Sequence, residues 1–395
     1  MNVKRWTVGA ALALALGSTY TAGAQVPGTQ SPPAHAFRPD SATARSNARQ
    51  PPTAPPRAVD LPEGGAEVPL TMQNRRPLVE VRVNGSGPYR FIVETGAPFT
   101  AVTPEVAAAL GLVAADTANP VVAVDSLGIG AAELRGMRVS VFRVGLPGVD
   151  GVLGLNAYRD LLLTLDYGAS RMRLERGSLP AANGRDRLAL FPVGRLWGFT
   201  IEVNGKRAPA VLDTQSEGGF SVTPESAAGV AFVRAPVVTG ISQGPGIGVQ
   251  ETRTARLDGD VRVGDVPFRR PLVGVVPMPS GYPKDWNVGS RVLREFTVTL
   301  DQRHRVLRLE RPGRAEVAPP PALRSMGFRS QVRQGKRVVL DVVPGSEAER
   351  AGIRAGDEVV SLDGGPATAL VGAAWNDRAQ AGAPLTLVLR RDGAE

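Results

Sequence analysis

Val211-Leu212-Asp213-Thr214-Gln215-Ser216 has a near-copy about 120 residues upstream, Ile92-Val93-Glu94-Thr95-Gly96-Ala97. In each, an apolar pair delivers one carboxylate followed by a threonine. A single acid in this setting is ordinarily a strand running out into a polar turn. Two copies in matching surroundings are a repeat. Val83-Asn84-Gly85 precedes the first and Val203-Asn204-Gly205 the second; Val102-Thr103-Pro104-Glu105 and Val222-Thr223-Pro224-Glu225 follow them, with spacings that agree to within one residue. Farther on, Gly154 and Gly289 each precede a Thr-Leu-Asp by the same interval, at Thr164-Leu165-Asp166 and Thr299-Leu300-Asp301. Leu174-Glu175-Arg176 and Leu309-Glu310-Arg311 close both copies. Residues of about 66–178 and 188–312 are therefore one unit used twice.

An apolar pair, then Asp-Thr-Gly, then an apolar-apolar-Gly segment before a short helix, resembles the pattern of the aspartic proteases. The small size of each half is similar to the retropepsin-like branch, here fused in tandem as in pepsin-like enzymes. The resemblance implies a mainly β fold with two lobes, 64–180 and 185–312, whose carboxylates meet across a pseudo-two-fold axis. It implies Glu94 and Asp213 as the catalytic dyad, supported by Thr95, Gly96, Thr214, Gln215 and Ser216, with Gly154 and Val288-Gly289 behind them. Two carboxyl groups held about 3 Å apart cannot both ionise, so such a pair keeps a proton over a useful pH range. One then takes a proton from water while its partner supplies one to the substrate oxygen. No cofactor and no metal are implied.

The chain departs from that pattern twice. Glu94 stands where the family has Asp, and the added methylene displaces a carboxylate that needs close positioning. Gln215 stands where the family has Gly, which puts a side chain in the turn beside Asp213. Two readings stay open: an aspartic-type endopeptidase with a Glu/Asp pair, and a catalytically degenerate pseudoprotease that binds peptides as a scaffold.

The rest of the 395 residues frames those lobes. Residues 1–24 read as a signal peptide: Lys4 and Arg5 lead an apolar stretch from about Trp6 to Leu16, ending in Ala22-Gly23-Ala24. That stretch is short for a bilayer span, so cleavage after Ala24 implies a periplasmic protein with no stable membrane span. Residues 25–63 are rich in Pro, Ala, Ser and Gln and read as a disordered tether. The Pro run of 313–321 reads as an extended spacer. Residues 322–395 resemble a PDZ domain through Val343-Pro344-Gly345-Ser346-Glu347-Ala348 and Ala355-Gly356-Asp357-Glu358-Val359-Val360. That resemblance implies capture of protein C-termini by strand addition, with Met326, Gly327 and Phe328 in the carboxylate-binding loop.

Composition excludes other chemistries. The chain has no cysteine, so thiol catalysis and disulfides are out. Its two histidines, His35 and His304, lack ligand spacing for zinc. Neither has a carboxylate in sequence that would orient it for a serine triad. A net charge of +9 is carried by scattered arginines with only four lysines, which reads as solvated faces and not a nucleic-acid surface. The expected partners are peptides or unfolded protein segments. Ser242-Gln243-Gly244-Pro245-Gly246-Ile247-Gly248 reads as a hairpin over the cleft.

Overall fold

The computed structural model describes residues 4–8, 54–112, 120–144, 146, 148–244, 248–277, 286–311, 316–319, 326–343, 346–370, 374–375, 378 and 384–391. The chain divides into two compact units, one of Ala48–Ser325 with Leu370–Gln380, the other of Met326–Ala369 and Ala381–Glu395 with Met1–Asn47.

The larger unit holds the repeat. Each copy starts with a hairpin whose alternating apolar residues form one buried face: Arg76–Val83 with Ser86–Val93, and Leu196–Val203 with Lys206–Asp213. The turns are Asn84-Gly85 and Asn204-Gly205, with φ of 50° and 78° in the first and 50° and 77° in the second. Two successive left-handed residues match the twist of the strands they join, and Asn-Gly tolerates that conformation best. Each Asn side chain also ties down the next layer, Asn84 Oδ1 accepting from Ser126 N–H at 3.1 Å and Asn204 Oδ1 from Asp260 N–H at 2.9 Å. Thr103 and Thr223 then cap the short helices Pro104–Ala109 and Pro224–Ala227. The second copy carries the long hairpin Val237–Gly244 with Gly248–Arg256. The tip of the glycine-rich stretch, 245–247, lies outside the described residues.

A six-stranded antiparallel sheet is built jointly by the two copies, in the order 187–189, 306–310, 297–301, 162–166, 171–175 and 66–69. Leu162 pairs with Asp301 and Asp166 with Thr297, so the register is centred on Thr164 opposite Thr299. Their hydroxyls meet at 3.1 Å. The repeated Thr-Leu-Asp is therefore the seam at which the lobes cross their pseudo-two-fold axis. One apolar core runs through both lobes, taking in Phe91, Val93, Phe199, Leu212 and Phe296.

Two expectations about the linkers are corrected. The end of the segment read as a tether runs along the first lobe: Ala58–Asp60 pairs with Glu133–Arg135, and Asn156 Nδ2–H reaches Ala54 O at 3.2 Å. An edge strand with free N–H and C=O groups accepts even a short partner, and Asp60 adds an ion pair to Arg135. Residues 25–53 lie outside the described residues. In the spacer, Val317 is held by Arg269 N–H at 3.1 Å and donates its own N–H to Pro267 O at 2.8 Å, so this part of the Pro-rich run is pinned to the second lobe.

The smaller unit is a sheet in the order 4–8, 385–390, 358–362, 336–342 and 328–333, with the helix Glu347–Arg350. Lys4–Val8, inside the stretch read as a signal, forms one terminal strand antiparallel to Leu385–Arg390. Phe328–Arg333 forms the other.

Candidate active site

The two acids leave their strands at equivalent points. Gly151–Leu153 lies parallel to Ser86–Val93 and antiparallel to Ala101–Val102; Trp286–Gly289 lies parallel to Lys206–Asp213 and antiparallel to Phe220–Val222. The chain after each acid is thus threaded past a glycine. A Cβ on Gly154 would stand 2.1 Å from Phe99 O, and one on Gly289 would stand 2.6 Å from Gly218 O. Only glycine fits there.

The threonines lock the two turns together. Thr95 N–H donates to Thr214 Oγ1 at 3.0 Å and Thr214 N–H to Thr95 Oγ1 at 3.1 Å. Each hydroxyl then donates across the axis to the strand that carries the other acid, Thr95 to Leu212 O at 2.9 Å and Thr214 to Val93 O at 2.6 Å. All four groups are buried and satisfied, so the geometry is stiff. Ser290 Oγ–H adds a bond to Thr214 O at 2.5 Å.

Asp213 accepts three hydrogen bonds: Gln215 N–H and Ser216 N–H on Oδ1, both at 3.0 Å, and Asn287 Nδ2–H on Oδ2 at 3.1 Å. Gly96 lies against the same carboxyl, where an added Cβ would stand 2.9 Å from Cγ. Burial raises the pKa of Asp213; Ser216 N–H, Asn287, Gln215 N–H and the charge of Arg76 pull it back down. Glu94 is only 8% exposed. Burial, then the charge of Asp213, pushes it up to about 8, with Arg76 opposing. The charge of Asp213 thus favours the protonated form of Glu94.

Around them stand residues that sequence reasoning missed. Arg76, on the first lobe, forms an ion pair with Glu217, four residues past Asp213 on the second. Tyr158 O–H supports the Glu94 turn by donating to its carbonyl at 3.0 Å. Asn287 could have been found by aligning the two copies, because it is a polar residue where the first copy has Val152. Arg76 and Tyr158 carry no motif and are recruited only by the fold.

His304 is corrected in one respect. It has a carboxylate partner after all, with Nδ1 at 3.0 Å from Asp301 Oδ2. The same Asp301 also accepts His304 N–H at 3.0 Å and Leu179 N–H at 2.8 Å, which makes it the anchor of a strand turn. Among the described residues no group of three His, Asp or Glu could hold a metal ion. No helix among them is long and apolar enough to cross a membrane.

Met326, Gly327 and Phe328 open the terminal strand of the smaller unit, and Ser325 lies outside the described residues. Gly327 has φ of 74°, and its carbonyl accepts Val343 N–H at 2.8 Å and Ser346 Oγ–H at 3.1 Å. The Phe328 side chain is buried, and its backbone pairs with Val342.

Residues 79–157 match the aspartyl protease family model. The matched segment includes Glu94-Thr95-Gly96 and Gly154. No curated protein matches the chain. Solved structures similar to it include the aspartic proteinase of Irpex lacteus, at 14% identity over 65% of this chain and 98% of that one, with a TM-score of 0.40. Basic 7S globulin from soybean is similar at 12% identity over 63% and 95%, with a TM-score of 0.38. A retropepsin-like aspartic protease from Rickettsia conorii is similar at 19% identity over 30% and 94%, with a TM-score of 0.24.

Proposed function

We propose that the protein is an exported aspartic-type endopeptidase in which Glu94 and Asp213 activate water. The observation that supports this reading is the reciprocal Thr95/Thr214 lock, which ties together the two turns that follow Glu94 and Asp213. Asp213, with three donors, is the better carboxylate and takes a proton from water as the water oxygen attacks the peptide carbonyl carbon. Glu94, kept protonated by burial and by the charge beside it, gives its proton to the carbonyl oxygen. The resulting gem-diol then collapses: the C–N bond breaks, the leaving amine receives the proton held by Asp213, and one diol hydroxyl returns its proton to Glu94. No metal is needed in this sequence.

The smaller unit is read as a PDZ domain. Its terminal strand Phe328–Arg333 would accept a peptide by strand addition, and the backbone of Met326-Gly327-Phe328 would hold a terminal carboxylate. The Lys-Arg lead and apolar run before Ala24 support export to the periplasm, with a mature N-terminus at Gln25.

The test is digestion of an unfolded protein and a random peptide library by residues 25–395 between about pH 3 and 8, the range over which carboxyl pairs titrate. Cleavage that disappears in both Asp213→Asn and Glu94→Gln is expected. The second reading, a peptide-binding pseudoprotease, is favoured by Gln215 at a glycine position. Peptide binding without cleavage at any pH would establish it.

A further inference from the structure

The two acids sit in equivalent turns, yet the side chain behind each differs. Aligned on Gly154 and Gly289, Val152 and Asn287 hold the same place in strands of the same register. Val152 is 1% exposed and packs with Ala97 and Ala101, as an inner strand position should. Asn287 is 5% exposed between Trp286 and Val288, both buried. An amide in such a place is costly unless its polar atoms are used. Its Nδ2–H is used on Asp213 Oδ2 at 3.1 Å.

We propose that Asn287 is a positioning residue that assigns the shared proton of the pair: by donating to Oδ2 it holds Asp213 as the base and leaves Glu94 as the acid. This rests on the dyad reading given above.

The direction of the Asn287 amide follows from its neighbours. Oδ1 of Asp213 faces two backbone N–H groups that cannot turn round. They favour the carboxylate form, and a carboxylate accepts only from the NH2 side of an amide. Val152 offers Glu94 nothing comparable. The other charged groups near the acids do not choose between them. Arg76 favours ionisation of both and is itself paired with Glu217. The Tyr158 hydroxyl is directed to the Glu94 backbone carbonyl. Asn287 is thus a polar side chain placed on one acid where the other has Val152, and it acts with the two backbone N–H groups to favour ionisation of Asp213 first.

The test reads protonation directly, through the carboxyl carbon resonances of 13C-labelled Asp213 and Glu94 in the mature chain titrated from about pH 3 to 9, beyond both ordinary carboxylate values. In the wild type Asp213 is expected to ionise first; ionisation of Glu94 first overturns the proposal without need of any variant. In Asn287→Val, which copies Val152, the Asp213 step is expected to rise by about one unit, a tenfold change, while the Glu94 step stays in place. The Glu94 step is unmoved because the ion with Asp213 charged loses the same hydrogen bond before and after Glu94 ionises. Where peptide cleavage is present, the acid limb of kcat/KM shifts with the Asp213 step and the basic limb does not. A uniform loss of rate with both steps unchanged means that Asn287 only packs, and the proposal falls. Absence of cleavage with the ionisation order as stated would count against the peptidase reading alone.

Discussion

At the residue scale, Glu94 sets a dependence of stability on pH that is opposite to that of an ordinary paired carboxylate. Its folded value is raised to about 8 from the usual 4.5. Below about pH 4.5 both folded and unfolded chains carry the proton, and the group contributes nothing to the pH dependence. Between those values the unfolded chain releases the proton while the folded chain holds it, so stability falls as pH rises, and it levels off above about 8. At about 1.4 kcal/mol per unit the loss amounts to a few kcal/mol. Glu94→Gln is expected to remove that fall, so its melting temperature exceeds the wild-type value at pH 8 and approaches it at pH 4.5. A variant whose melting temperature falls between pH 4.5 and 8 as steeply as the wild type's contradicts the raised folded value. Gly96 gives a second case. With Asp213 Cγ 2.9 Å from where its Cβ would stand, Gly96→Ala is expected to displace the carboxyl and, under the proposed peptidase function, to cut turnover by at least about tenfold. Circular dichroism should remain that of the wild type.

At the scale of elements, the lock between the two acid turns is worth more than a helix cap or a surface pair. Thr214→Val removes the O–H donated to Val93 O and the acceptor of Thr95 N–H, leaving a buried N–H and a buried C=O without partners. A cost of about 2–4 kcal/mol is expected in urea unfolding. Thr214→Ser keeps the hydroxyl and is expected to recover most of it. A loss under about 0.5 kcal/mol in the valine variant would mean that the turns are held by the strands alone. The Asn-Gly turns act on another level. They place the hairpins in register, and Asn84 and Asn204 then bind the following layer.

At the scale of the whole molecule, the two copies are not independent. Both lay strands into one six-stranded sheet about Thr164 and Thr299, and one apolar core runs through them. They are expected to unfold together. Hydrogen exchange of the amides of Ile92 and Leu212 should report the same opening free energy, and Thr164→Val with Thr299→Val should lower both equally. Protection lost in one copy alone would contradict a shared cooperative unit.

The duplication, the mainly β character, the two acids with their threonines, and the turns at Asn84-Gly85 and Asn204-Gly205 are all written in the order of residues along the chain. These are legible because they depend on local periodicity and on residues with few conformational alternatives, repeated at equal spacing. Tertiary structure decided what those residues mean electrostatically. That Thr95 and Thr214 bond each other, that Asn287 reaches Asp213, and that Arg76 meets Glu217 are pairings between residues 74 to 141 positions apart in the chain. The pinning of residues 54–60 and of Val317 depends equally on edges that exist only once the lobes have folded. Proline-rich composition spoke for a loose chain, and an open strand edge overrode it. The proposed unequal protonation of the two acids belongs to the same class, because it rests on burial and on Asn287, which the neighbouring strand brings to Asp213.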